Sequence, residues 1–172
     1  MDHKIIARQF LITGIFWALI GAAMSIVFRL QLGFPEADLD WLKPVLGKWI
    51  TVTEGVGQLS PEFYYALVTM HGTILVFFVL TAGLSGTFSN LLIPLQIGAR
   101  DMASPFLNML SYWFFFMASA VMFYSLFLST GPFSGGWTAY PPLSALPQAS
   151  TGSGAGMTLW LVSLTLFVVS AL

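Results

Sequence analysis

The sequence predicts an all-α fold, a polytopic transmembrane helical bundle, from three observations. Of 172 residues, 57% are hydrophobic and only 8% are charged, 6 Lys or Arg and 7 Asp or Glu, where a water-soluble domain carries roughly 25% charge. The charges are also partitioned, with none between Gln9 and Phe28, none between Phe63 and Ala99 and none from Met102 to Leu172. Each gap is long enough to cross a hydrocarbon core of about 30 Å, which takes roughly 20 helical residues. Finally, the apolar runs are separated by stretches rich in Gly, Pro, Ser and charge, the breaks expected between spans.

The first helix is expected from about Ala7 to Leu30, closed by Gly33, Phe34 and Pro35. The apolar run after Lys4 and Arg8 is too long for a secretory leader and has no small-residue cleavage site after it, so it reads as a retained membrane helix. Gly14, Ala18, Gly21, Ala22 and Ser25 recur at spacings of three and four, a stripe suited to close helix packing in lipid. Residues 33–62 hold most of the acidic side chains together with Trp41 and Trp49. Within them, an amphipathic piece from about Leu39 to Thr51 is expected to lie at the membrane interface.

Ser60 and Pro61 mark a helix start, with serine as cap and proline in the first turn. The second helix is expected over about 61–92, stopping near Pro94, and the third over about 105–129. Residues 130–156 are too broken for a span. A fourth apolar segment starts near Met157 and is incomplete at Leu172, so the sequence reads as part of a longer bundle. Lys4, Arg8 and Arg100 place the N-terminus and the 94–105 loop on the cytoplasmic side by the positive-inside rule.

The formal charge of −1 averages over this partition and says nothing about nucleic acid, and no basic cluster with interleaved aromatics supports that reading. With no cysteine, thiolate metal sites, iron–sulfur clusters and disulfides within the chain are excluded. Metal ligation must then come from nitrogen or oxygen, and the two histidines are His3 and His71. His3, near a terminus, is expected to be solvated.

His71 sits about eight residues into the second helix, where an ionisable side chain is expensive and usually serves a purpose. Two readings are open: an axial ligand to haem iron, for which neutral imidazole is suited, or a hydrogen-bonded packing histidine. Gly72, Gly83 and Gly86 would admit either a flat cofactor or a neighbouring helix. Arg29 ends the first charge-free run, either as an interfacial anchor or as a polar partner to a cofactor at the depth of His71. Asn90, Asp101 and Asn108 gather at the opposite membrane face. They can collect protons for bound water, or Asp101 and Ser104 can simply cap the third helix.

The stretches Thr69-Met70-His71-Gly72, Gly86-Thr87-Phe88-Ser89-Asn90 through Arg100-Asp101-Met102-Ala103-Ser104-Pro105, and Leu107-Asn108-Met109-Leu110-Ser111-Tyr112-Trp113 resemble subunit I of the haem–copper terminal oxidases. Gly135-Gly136-Trp137-Thr138-Ala139-Tyr140-Pro141-Pro142-Leu143 resembles an outer loop of the same family. The resemblance runs in order along the whole chain, which supplies three helices and a fraction of the roughly twelve in that subunit.

The resemblance implies that His71 is an axial ligand of the low-spin haem, haem A by this likeness. It implies that Arg29 contacts the haem formyl group, that Ser25 lies one turn from it, and that Tyr64 precedes the ligand by seven positions. It further implies that Asp101 opens a proton uptake pathway lined by Asn90 and Asn108, and that Trp137 and Tyr140 lie near the haem propionates. A second haem, a copper ion and their ligands, with the other axial histidine, would lie beyond residue 172. The implied partners are further oxidase subunits, including a copper-bearing subunit II, an electron donor that is cytochrome c or a quinol, and membrane lipid. The implied location is the inner membrane of a bacterium.

Three positions depart from the family pattern: Arg100 for a usual proline, Ser104 for phenylalanine and Phe106 for arginine. Proton uptake is expected to survive these with an altered vestibule. The competing readings are a quinol oxidase, the more distant nitric oxide reductase, and a noncatalytic haem-binding scaffold.

Overall fold

The computed structural model describes residues 2–53, 55–146, 148–149 and 154–171. The elements in chain order are helix α1 (His3–Gly33), a single turn α2 (Lys43–Leu46), strands β1 (Ile50–Thr53) and β2 (Val56–Leu59), and helices α3 (Pro61–Ile97), α4 (Pro105–Ser125) and α5 (Ala155–Val169). Helices α1, α3 and α4 are long and apolar enough to cross a membrane, and α5 is a shorter apolar helix. The chain is therefore a multi-pass membrane bundle. For orientation within it, the end carrying residues 34–60 and 126–149 is the loop-rich end. The end carrying the N-terminus and residues 98–104 is the narrow end.

Local chemistry explains most boundaries. The Asp2 side chain accepts from the Lys4 amide at 2.9 Å, so α1 begins earlier than the periodicity suggests. Ser60 caps α3 through the Phe63 amide at 3.3 Å with Pro61 in the first turn. Gly98, at φ +70°, ends α3 in the left-handed region that glycine adopts without cost. Helix α4 ends at Ser125, short of the expected 129.

Helix α3 is not wound uniformly. Over Ile74–Ser85 it takes the wider i→i+5 pattern, and the Thr81 hydroxyl donates to the Val76 carbonyl five residues back at 2.8 Å. Its buried residues there are Ile74, Phe78 and the adjacent pair Ala82 and Gly83, which lie four and five residues beyond Phe78. This winding brings Gly83 against Gly14 of α1, so closely that a Cβ on Gly83 would lie 2.8 Å from the Gly14 Cα.

The core is largely aromatic. Phe10 stacks on Phe115 at 5.3 Å and meets the edge of Tyr112 at 5.2 Å, while Trp17 packs on Phe78, and Phe78 on both Phe115 and Phe167. Lipid gives helices no hydrophobic reason to associate, so packing and interhelical hydrogen bonds hold them together. Trp17 donates to Ser119 at 2.8 Å, Trp160 to Thr73 at 3.2 Å and Ser163 to the Ala118 carbonyl at 2.6 Å. These bonds tie α1 to α4, α5 to α3, and α5 to α4.

The expected amphipathic piece over 39–51 is formed only in part, as consecutive short helical turns over Asp40–Leu42, Lys43–Leu46 and Gly47–Trp49. Pro44 and Gly47 (φ +54°) restrict it to turns, and the β-branched run Ile50-Thr51-Val52-Thr53 forms an antiparallel hairpin with 56–59 instead. Gly55, at φ +84°, lies between the two strands. The hairpin closes a second apolar cluster of Leu39, Leu42, Ile50, Leu59, Phe63, Ala66 and Leu67, with Trp49 stacked on Phe63 at 5.0 Å.

Asp38 ties this segment together. Its carboxylate accepts from the amides of Asp40 and Gly57, each at 2.9 Å, and these bonds hold its pKa below the usual carboxylate range. A lowered folded-state pKa gives stability that is present above the ordinary value and is lost as pH falls through the lowered one. Protection of the Gly57 amide from hydrogen exchange should therefore drop below about pH 4, and Asp38→Asn should remove that pH dependence. Protection that stays flat through acid would contradict the carboxylate's role.

The expectation that His3 is solvated is overturned. It is 3% exposed, and its Nδ1 donates to the Asn90 carbonyl at 2.8 Å. The reason lies in α3, which continues past its expected stop with Pro94 inside it.

Candidate functional site

His71 is presented by α3 toward α1. Its Nδ1 lies 2.9 Å from the Gly21 carbonyl. A carbonyl only accepts, so Nδ1 carries the proton in that bond and Nε2 keeps its lone pair. Nε2 makes no hydrogen bond among the described residues, and the ring is half-buried. A histidine that ligates a metal characteristically spends its other ring nitrogen in this way, fixing tautomer and orientation.

The face of α1 that receives His71 carries the other candidates. Gly21, Ser25 and Phe28–Arg29 follow one another at helical spacing, so Arg29 lies about 12 Å beyond Gly21 along the axis. Arg29 Nε donates to the Ser25 hydroxyl at 2.9 Å, and its Cζ sits 6.0 Å from the Phe28 ring centroid. No carboxylate pairs with Arg29 among the described residues. The Phe28 ring meets His71 edge-on at 5.3 Å and Tyr64 edge-on at 6.2 Å. Because α1 and α3 run antiparallel, Arg29 and Tyr64 both lie on the loop-rich side of His71. The structure thus assembles Ser25, Arg29, Tyr64 and His71 along one seam. Sequence reading missed Phe28, the wedge between the two α3 rings, and Gly21, the acceptor. Their spacing from Ser25 and Arg29 was the available signal.

Trp137 and Tyr140 are not part of this seam. Gly136 donates its amide to the Thr69 hydroxyl at 3.1 Å, and Trp137 rests on Phe77 at 5.8 Å. Thr69 is two residues from His71, about 200° around the helix. Tyr140 is 70% exposed.

At the narrow end the structure joins two of the three proton-route candidates. The Asn90 Nδ2 donates to the Gly86 carbonyl at 2.8 Å, which fixes the amide's orientation, and Asn90 Oδ1 accepts from Asn108 Nδ2. Asp101 stands apart, with its carboxylate on its own neighbour, the Met102 amide, at 2.8 Å. Arg100 is exposed and forms no ion pair with it.

Two other features bear on what this site can hold. No group of three or more His, Cys, Asp or Glu side chains that could cage a metal ion exists among the described residues. A cavity of about 560 Å³ between α1, α3 and the end of α4 is lined by Ile20, Met24, Met70 and other apolar side chains, with Lys48 at its rim. His71 does not line it. A single imidazole with a free Nε2 fits a ligand that fills its remaining coordination positions from its own atoms, as a porphyrin does.

The family model described as "Cytochrome C and Quinol oxidase polypeptide I" matches residues 5–172. This chain belongs to that haem–copper oxidase family. Among similar proteins, the alternative cytochrome c oxidase subunit 1 of Bradyrhizobium diazoefficiens is 38% identical over 168 residues, covering 98% of this chain and 25% of the relative. The ubiquinol oxidase subunit 1 of Acetobacter aceti is 38% identical over 166 residues, covering 96% of this chain and 22% of the relative. Cytochrome c oxidase subunit 1 of Mytilus edulis is 37% identical over 174 residues, covering 99% and 27%. The chain thus spans about a quarter of the length of these relatives.

Proposed function

We propose that this chain forms the N-terminal part of subunit I of a bacterial terminal oxidase that takes electrons from cytochrome c, reduces oxygen to water and moves protons. One observation carries the reading. The His71 ring is anchored through Nδ1 to the main chain of α1, which leaves Nε2 without a hydrogen bond among the described residues, on the face of α1 that carries Ser25 and Arg29 further along.

His71 would hold the iron of a low-spin haem, haem A by the family likeness. Such a haem supplies a one-electron carrier whose potential depends on its axial ligand, neighbouring charge and hydrogen bonds. The chain's own contribution is position and field. The Gly21 carbonyl fixes the imidazole's tautomer and direction. Ser25 holds the Arg29 guanidinium along α1, which places a positive charge and free N–H donors near the seam. Phe28 packs edge-on against His71, with Tyr64 against Phe28 in turn, and limits water there.

On the cytoplasmic side, Asp101 would collect protons and the Asn90–Asn108 pair would order the water that carries them inward. Oxygen reduction itself would fall to groups beyond residue 172, with a copper-bearing subunit II as partner.

A quinol donor is the second reading, favoured by the Acetobacter aceti ubiquinol oxidase matching as well as the Bradyrhizobium diazoefficiens protein does. Oxygen consumption by the purified complete complex separates the two, since it should be supported by reduced cytochrome c and not by a quinol. Its reduced-minus-oxidised spectrum should show a low-spin haem band. In the same preparation, Asp101→Asn should lower turnover by about tenfold or more, the usual scale for removing a positioned proton-transfer group. Unchanged oxygen consumption and proton release would remove Asp101 from the pathway.

A further inference from the structure

A buried polar contact at the narrow end involves a residue with no assigned role. In an α-helix the N–H of residue i donates to the carbonyl of residue i−4. At position 94 of α3 the residue is proline, which has no N–H, so the Asn90 carbonyl loses its helical donor. A carbonyl left unpaired within a membrane span is costly. The donor instead arrives from 87 residues away, as His3 Nδ1 at 2.8 Å from the Asn90 oxygen. Both residues are buried, His3 at 3% exposure and Asn90 at 4%. Pro94 is buried with them.

The consequence reaches the Asn90 side chain. Its Nδ2 is committed to Gly86 and its Oδ1 to Asn108 on α4, so Asn90 bridges two helices. A proline inside a helix ordinarily kinks it. Any bend at 90–94 would swing this amide away from Asn108. By taking the place of the missing N–H, the His3 ring holds the Asn90 backbone, and through it the amide pair.

We propose that His3 is a positioning residue. It replaces the hydrogen bond that Pro94 removes and so fixes the Asn90–Asn108 pair of the proton route. This rests on the reading of that pair as part of proton uptake, and the test separates the two.

The test uses the complete oxidase complex, in wild type and in four variants: His3→Ala, His3→Gln, His3→Leu and the double variant His3→Ala/Pro94→Ala. Nitrogen-15 NMR of histidine-labelled complex reports the ring tautomer. Wild type should show an Nδ1–H imidazole signal that is absent from His3→Ala. Turnover with proton release per electron reports function.

His3→Ala should lower turnover by about tenfold, within the range a small displacement of a positioned group can cost. His3→Gln should retain most activity, because its amide can donate. The double variant should recover, because residue 94 regains the N–H that Asn90 needs. His3→Leu should not recover, since it restores volume without a donor. Failure of the double variant to recover in a folded, haem-loaded complex overturns the proposal, as does full activity of His3→Leu. Turnover indifferent to every variant, with the Nδ1–H signal behaving as expected, overturns the positioning role while the hydrogen bond stands; the proton-route reading falls separately, if Asn108→Ala in the same complex leaves turnover and proton release unchanged.

Discussion

Replacing His71 with leucine in the complete oxidase should eliminate the low-spin haem band and cut oxygen consumption by at least about 100-fold. The scale follows from metal sites generally, where loss of an outer partner that merely orients a ligand costs about 10–100-fold. Loss of the ligand itself should reach or exceed that range. The substitution keeps an apolar side chain of similar bulk in α3, so the bundle should still assemble. Assembly can be checked by the other haem signals of the complex. An intact low-spin spectrum in His71→Leu would falsify the assignment of this imidazole. The orienting partner is a main-chain oxygen, that of Gly21. No side-chain substitution on α1 deletes it, so the tautomer of His71 depends on the register of two helices and on no second side chain.

The largest stability effect is expected at that register. Gly83→Ala would place a Cβ 2.8 Å from the Gly14 Cα and 3.0 Å from the Phe78 carbonyl oxygen. Both obstacles are backbone and cannot step aside, so the helices must separate along their whole contact. A cost of about 2–3 kcal/mol, at the upper end of typical overpacking, is expected. Gly21→Ala offers the contrast. Its Cβ would meet the end of the Leu75 side chain at 2.7 Å, which a rotamer change can relieve. Thermal unfolding of the detergent-solubilised complex should show a clear drop for Gly83→Ala and little change for Gly21→Ala. Equal transitions would mean that the α1–α3 contact is looser than the structure shows.

Much of the fold was readable in the chain because the membrane is an unforgiving solvent. Charges are excluded from the spans, so Arg8, Arg29, Glu62, Arg100 and Asp101 mark approximate span limits without any packing information. Serine followed by proline at 60–61 marked one start, because that pair satisfies helix geometry locally. The hairpin at 50–59 was missed. The amphipathic pattern over 39–51 fits a surface helix and forms as short turns as far as Trp49, and what breaks it up is the combination of Pro44, Gly47 and the β-branched run with an apolar surface on α1 and α3 to cover. His3 was misjudged for a related reason. Position near a terminus suggests solvent, and only the proline 91 residues further on creates a carbonyl that needs its ring.

The candidate site divides in the same way. His71, Arg29, Asn90, Asp101 and Asn108 were nominated from the chain, because a polar group in or beside an apolar run announces itself by its cost, and Ser25 and Tyr64 by the family resemblance. How they are grouped was not legible there. The structure draws Ser25, Arg29, Tyr64 and His71 onto one seam and pairs Asn90 with Asn108. It leaves Asp101 on its own backbone and sets Trp137 against Phe77, away from the seam.

The amino-acid sequence alone determined that the chain lives in lipid, roughly where it crosses, and which polar side chains pay to be there, since each of these depends on short stretches meeting one solvent. Tertiary structure alone decided which of those side chains face one another, which nitrogen of His71 is left free, and that His3 completes a helix it does not belong to. Those outcomes depend on contacts between residues 18 to 87 positions apart, set by two glycines meeting back to back and by a wider winding in α3, and no local preference encodes them.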